Sequence, residues 1–210
     1  MNYDHVLLPS GAATIADVDD YLTGQQGLAE DPVVATIAAE LNKRDAELPE
    51  ADTFLGAESV GGARTGTVLH VPCPYDAIGF VRNLLFELAT PHGYAVYDPQ
   101  LAWLIDPAER VDVEVTHGGA GDFPYLTKAL LEQWVPELSD PNPFLIAERA
   151  PEHYIQTYRA ADGEYTVEYR DGSATEHFGL RTSDPAEVCA LIWAWATGEP
   201  GTAHWIRVEF

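Results

Sequence analysis

Lysine is nearly missing from this 210-residue chain. Lys43 and Lys128 are the only two, and with the arginines they make 11 basic residues against 34 acidic ones, a formal net charge of −23. A surface of that sign repels nucleic acid and anionic membrane, which excludes both as partners, and it attracts basic proteins. The alternative is an acidity that serves solubility alone.

Cysteine is as scarce. Cys73 and Cys189 stand far apart in different kinds of segment, which excludes a disulfide framework or a zinc site of paired cysteines and leaves two free, buried thiols. Long apolar runs are missing too. Stretches such as Val68–Val71 and Ala186–Ala196 fall short of the roughly 20 residues that cross a bilayer. Met1-Asn2-Tyr3-Asp4-His5 has neither the basic nor the apolar segment of a secretory signal, so a soluble, cytoplasmic protein is expected.

What is present is enough for a core: 46% of residues are hydrophobic and 21% charged. Tyr3 to Leu8 reads as a strand, Ile15, Val18, Tyr21 and Leu22 recur at helical spacing, and Asp31-Pro32 starts a second helix carrying Val34, Ile37, Ala38 and Leu41. Thr65 to Val71 is strand-like. Ile78, Val81, Leu84, Leu85 and Leu88 then form an apolar stripe that Pro91 and Gly93 stop, before a strand at Tyr94 to Tyr97. The order suggests helices on one face of a sheet. Val111, Val113 and Val115 alternate as a strand, and Phe123 to Leu138 reads as a helix.

Ser139-Asp140-Pro141-Asn142-Pro143 is the strongest punctuation and divides the chain into an acidic α+β domain, 1–140, and a β-meander-plus-helix domain, 141–210, with one continuous unit as the alternative. In the second, Phe144 to Glu148, Tyr154 to Arg159, Tyr165 to Arg170 and His177 to Arg181 form a four-stranded meander with Asp-Gly turns. Asp184 to Thr197 is a helix with Val188, Leu191, Ile192 and Trp195 on one face, and His204 to Phe210 is a last strand. The fold class is therefore α+β, with helices packed on antiparallel or mixed sheets. Tyr154, Tyr158, Tyr165 and Tyr169 are expected mostly on the face the helix covers. Divided at 140, the charge is uneven: net −17 before and −6 after.

No motif carries recognisable catalysis, and no catalytic residue, cofactor or metal ligand set is assigned. Thr116-His117-Gly118-Gly119-Ala120-Gly121-Asp122 lies between a strand and a helix, where glycine-rich turns can expose N–H groups to phosphate; the lysine of a phosphate-binding loop is missing. Asp112 and Glu114 share one strand face with His117 close behind, a set that can bind a ligand or a metal or move a proton, or can be a solvated strand face. Cys73 precedes a helix N-terminus, a place that can activate a thiol; a buried structural role is the reading here.

Trp193 lies two residues, about 200° around the helix, from the Trp195 side, so it either seals the junction with the front domain or anchors an interface. Asp17, Asp19, Asp20, Glu47, Glu50 and Asp52 are the candidate partner-binding acids, in or beside the early helices of the more acidic half.

The runs Phe144-Leu145-Ile146-Ala147-Glu148-Arg149, Tyr154-Ile155-Gln156-Thr157-Tyr158-Arg159, Tyr165-Thr166-Val167-Glu168-Tyr169-Arg170-Asp171-Gly172, His177-Phe178 and Trp193-Ala194-Trp195-Ala196 resemble a small actinobacterial family of uncharacterised domains. Some of its members are similar to immunity proteins of bacterial toxin systems. The resemblance covers about the last 70 residues. Tyr94-Ala95-Val96-Tyr97-Asp98-Pro99-Gln100 more loosely resembles another set of uncharacterised bacterial proteins. The resemblance implies fold and context and leaves function open; the reading favoured here is a non-catalytic acidic binding protein, with an immunity or antitoxin-type inhibitor of a basic toxin as its expected form. The alternatives are a small-molecule-binding domain or enzyme using Asp112, Glu114 and His117, and a housekeeping protein.

Overall fold

The first strand, β1 (Tyr3–Pro9), is apolar at both parities: Tyr3, His5 and Leu7 are buried on one face, Val6 and Leu8 on the other. A strand of that pattern needs cover on both sides. The computed structural model, which describes residues 2–199 and 204–208, supplies it. β1 is central in an antiparallel four-stranded sheet of order β2-β1-β3-β4, with β2 (Leu69–Cys73), β3 (Tyr94–Asp98) and β4 (Trp103–Ile105). Helix α1 (Val18–Gln25) puts Val18, Tyr21 and Leu22 against Val6, Leu8, Ala95, Tyr97 and Leu104. Helix α3 (Ile78–Ala89) packs on the Tyr3–His5 side, and α2 (Pro32–Ala46) joins its layer through an Arg44–Glu87 ion pair of 2.8 Å. Helices thus lie on both faces, where one was expected, because the buried run of β1 and β3 is two-sided.

The second sheet is antiparallel and seven-stranded, in the order β11-β10-β9-β8-β7-β5-β6. Its strands are β5 (Glu114–His117), β6 (Gly121–Phe123), β7 (Phe144–Ala150), β8 (His153–Arg159), β9 (Tyr165–Asp171), β10 (His177–Thr182) and β11 (Ile206–Arg207). The four meander strands fall where the alternation places them. Positions 209 and 210 of the expected last strand lie outside the described residues. Helices α4 (Lys128–Trp134) and α5 (Pro185–Thr197) pack together: the Cys189 thiol donates to the Leu131 carbonyl at 3.3 Å, and the Tyr165 hydroxyl donates to Val135 O at 3.1 Å. Asp184 caps α5 by accepting from Ala186 N at 2.9 Å, and Gly198 ends it in the left-handed conformation, φ 74°.

Two expectations change here. The helix over Phe123 to Leu138 is shorter: Phe123 ends β6, Thr127 caps α4 by accepting from Leu130 N at 3.2 Å, and Trp134 packs on Phe123 at 4.6 Å. The division at 140/141 also moves. The chain separates between Ala108 and Glu109 into two compact units, because β5 and β6 extend the meander sheet beyond β7 and α4 packs on α5. With that boundary the charge is shared almost evenly: 16 acids and 4 bases before it, net −12, and 18 acids and 7 bases after it, net −11. The concentration of charge in the front half came from the misplaced boundary.

Candidate protein-binding surface

All six candidate acids are exposed, and among the described residues none pairs with a cation. They form two groups. Asp17, Asp19 and Asp20 open α1 on one face of the first sheet; Glu47, Glu50 and Asp52 follow α2, in the layer on the other face. The arginines are engaged elsewhere. Arg44, Arg64, Arg110, Arg149, Arg159, Arg170, Arg181 and Arg207 donate hydrogen bonds within the chain, to carboxylates or to backbone carbonyls.

The second acidic group has apolar neighbours. Asp45 accepts from Phe54 N at 2.6 Å and Leu55 N at 3.0 Å, turning the chain after the short 3-10 helix Glu50–Asp52 so that buried Phe54 meets Phe80 of α3 in a tilted ring pair at 5.3 Å. Gly56 N donates to Pro72 O at 2.7 Å, which ties the same loop to the end of β2, just before Tyr75. Tyr75 meets Tyr3 edge-on at 5.9 Å. Phe80 and Tyr75 are 57% and 54% exposed. One end of the first unit therefore carries two exposed aromatic rings, a carboxylate loop and Asp76.

Beneath this end, Tyr3, His5, Cys73, Arg82 and Asp98 are buried together. The Tyr3 hydroxyl donates to Asp98 Oδ2 at 2.6 Å, and Cys73 Sγ is 3.9 Å from His5 Nδ1. Burial, reinforced by Asp4, Asp98 and Asp76, pushes the Cys73 thiol up to about 11, and burial lowers His5 to about 4 against the opposing pull of Asp98. A neutral thiol beside a neutral imidazole lacks the thiolate that nucleophilic catalysis uses. The five side chains form a buried polar cluster. Sequence reasoning missed it, although Arg82 stands four residues after Ile78 and three before Leu85, inside the apolar stripe.

Asp112, Glu114 and His117 do not converge. Asp112 and Glu114 are exposed, the former 3.3 Å from Arg110, whereas His117 falls on the buried face with Val113 and Val115, 5.8 Å from the Trp134 ring. Three residues along a strand is an odd step, and odd steps change face. The glycine turn is a hairpin between β5 and β6, and its N–H groups are used internally: Gly118 N to Phe144 O at 2.9 Å, Gly119 N to His117 Nδ1 at 3.2 Å, Ala120 N to His117 O at 3.0 Å. A Cβ on Gly118 would lie 2.3 Å from Asn142 O, so glycine is required for close approach. Among the described residues no group of three or more His, Cys, Asp or Glu is placed to hold a metal ion, and no helix is long and apolar enough to cross a membrane.

In the second unit Trp193 is half-buried, and so is Trp195, expected in the core, whose ring lies under the Arg149 guanidinium at 4.6 Å. Tyr165 and Tyr169 are on the helix-covered face, but Tyr154 and Tyr158 are on the other: Tyr158 pairs with Thr166 and Tyr154 with Arg170, and directly paired residues share a face. No family model, curated protein or solved structure matches the chain.

Proposed function

We propose that this chain is a non-catalytic acidic binding protein of the immunity type, acting in the cytoplasm by covering a basic surface of a toxin. The observation that carries the reading is the carboxylate loop Glu47, Glu50 and Asp52 beside the exposed rings of Tyr75 and Phe80. Interfaces concentrate binding energy in a few aromatic anchors, and surrounding charge governs partner choice and encounter rate. Carboxylates that no internal cation neutralises attract a cationic partner over about 10 Å at 0.1 M salt. The resemblance of about the last 70 residues to a family of uncharacterised domains, some of whose members are similar to immunity proteins, is in keeping with the same reading.

The test is calorimetric, using the partner captured from the native host. Phe80→Ala is expected to weaken binding by about 1–3 kcal/mol, as loss of an aromatic anchor does. Glu47→Lys, Glu50→Lys and Asp52→Lys together are expected to weaken it further without lowering the melting temperature. Unchanged affinity in both variants rules out this surface.

A further inference from the structure

The face of the seven-stranded sheet opposite α4 and α5 contains a recess. Register places two rows of side chains next to each other across β7, β8 and β9: Phe144, Tyr158 and Thr166 in one, Ile146, Gln156 and Glu168 in the other. They line a concavity of about 310 Å³. Tyr158 is 50% exposed at its edge, and Phe144 and Ile146 are half-buried.

A single carboxylate is fixed in this largely apolar setting. Glu168 pairs across the ladder with Gly179, where a Cβ would come within 3.3 Å of the Glu168 Cγ, so the glycine lets the side chain lie along the sheet. Glu168 Oε2 accepts from Gln156 Nε2 at 2.9 Å and lies 3.5 Å from His177 Nε2. Arg170, two residues on and on the same face, donates to Glu152 at 2.5 Å. Two aromatic side chains and an oriented carboxylate are complementary to a cation that has an apolar stem.

We infer that the recess binds a guanidinium, the side chain of an arginine presented by a basic partner. A planar guanidinium stacks on aromatic rings and gives paired N–H donors to one carboxylate; an ammonium is more strongly hydrated and lacks that fork. The inference rests on the partner being basic, as proposed above, and is independent of the acidic loop.

The experiment is a nuclear magnetic resonance titration of the whole chain with N-acetylarginine amide, its lysine counterpart and the neutral citrulline analogue. The arginine probe is expected to give saturable shifts at Phe144, Ile146, Tyr158 and Glu168, at millimolar concentration, and to bind about tenfold more tightly than citrulline. Glu168→Gln and Tyr158→Ala are each expected to weaken it severalfold; Tyr158 is exposed, so its variant tests the recess even where the Glu168 variant unfolds. Equal binding of arginine and citrulline, shifts scattered elsewhere, or unchanged binding in the Tyr158 variant overturns the inference. The triple charge reversal in the acidic loop leaves this titration unchanged. A failed titration with intact partner binding therefore refutes the recess alone, and lost partner selectivity for basic proteins with an intact titration refutes the loop alone.

Discussion

Burial keeps the His5 imidazole neutral, with its pKa lowered from 6.5 to about 4. The unfolded chain takes up that proton near the ordinary value and the folded chain only near the lowered one. The His5 contribution is therefore constant above pH 6.5, is lost as pH falls from 6.5 to about 4, and levels off below. At about 1.36 kcal/mol per unit the loss is roughly 2–4 kcal/mol. His5→Gln should remove this dependence: the difference in urea-unfolding free energy between the two proteins is expected to change across that window, and parallel curves would contradict it. His5 was legible as a strand residue, but its burial was not, because its partners Asp98 and Arg82 come from distant segments. The position of His117 was legible, since parity alone separates it from Glu114.

The meander and α5 are the elements most completely written in the sequence. Turn residues punctuate them, Asp184 and Pro185 start the helix, and Gly198 ends it. What strand periodicity leaves open is register. Tyr154 and Tyr158 share a parity, as do Tyr165 and Tyr169, but only the pairing of Tyr158 with Thr166 puts the two pairs on opposite faces. β6 and α4 were fused into one expected helix because Phe123 continues an apolar spacing; Pro124 and the Thr127 cap are the signals that separate them. Arg149 of β7 closes the last turn of α5, donating to Trp195 O and Ala196 O at 2.5 Å each while covering the Trp195 ring. Arg149→Met should destabilise the chain by about 1–3 kcal/mol, read by chemical denaturation, because charge-assisted bonds to terminal carbonyls and a cation–π contact are lost together. A change within a few tenths would show that water replaces the arginine.

At the scale of the molecule, composition gave the sign of the field but placed it wrongly, because two prolines near 141 are stronger punctuation than the short segment around Ala108 where the units divide. With −12 and −11 on the two units, like charges repel throughout the folded chain. Raising salt from low to moderate concentration should raise the melting temperature in each unit; a fall would show that internal ion pairs outweigh repulsion.

The central claim, that the field and the loop select a basic partner, is tested most directly by the association rate of the captured partner at two salt concentrations, for the native chain and for the Glu47→Lys, Glu50→Lys, Asp52→Lys variant. Steering changes such rates by about 10 to 1,000-fold and is screened by salt. The account predicts a basic partner whose on-rate falls steeply with salt, a slower and less salt-dependent on-rate in the variant, and a dissociation rate that changes less. A neutral or acidic partner, or an on-rate indifferent to both salt and charge reversal, would contradict it.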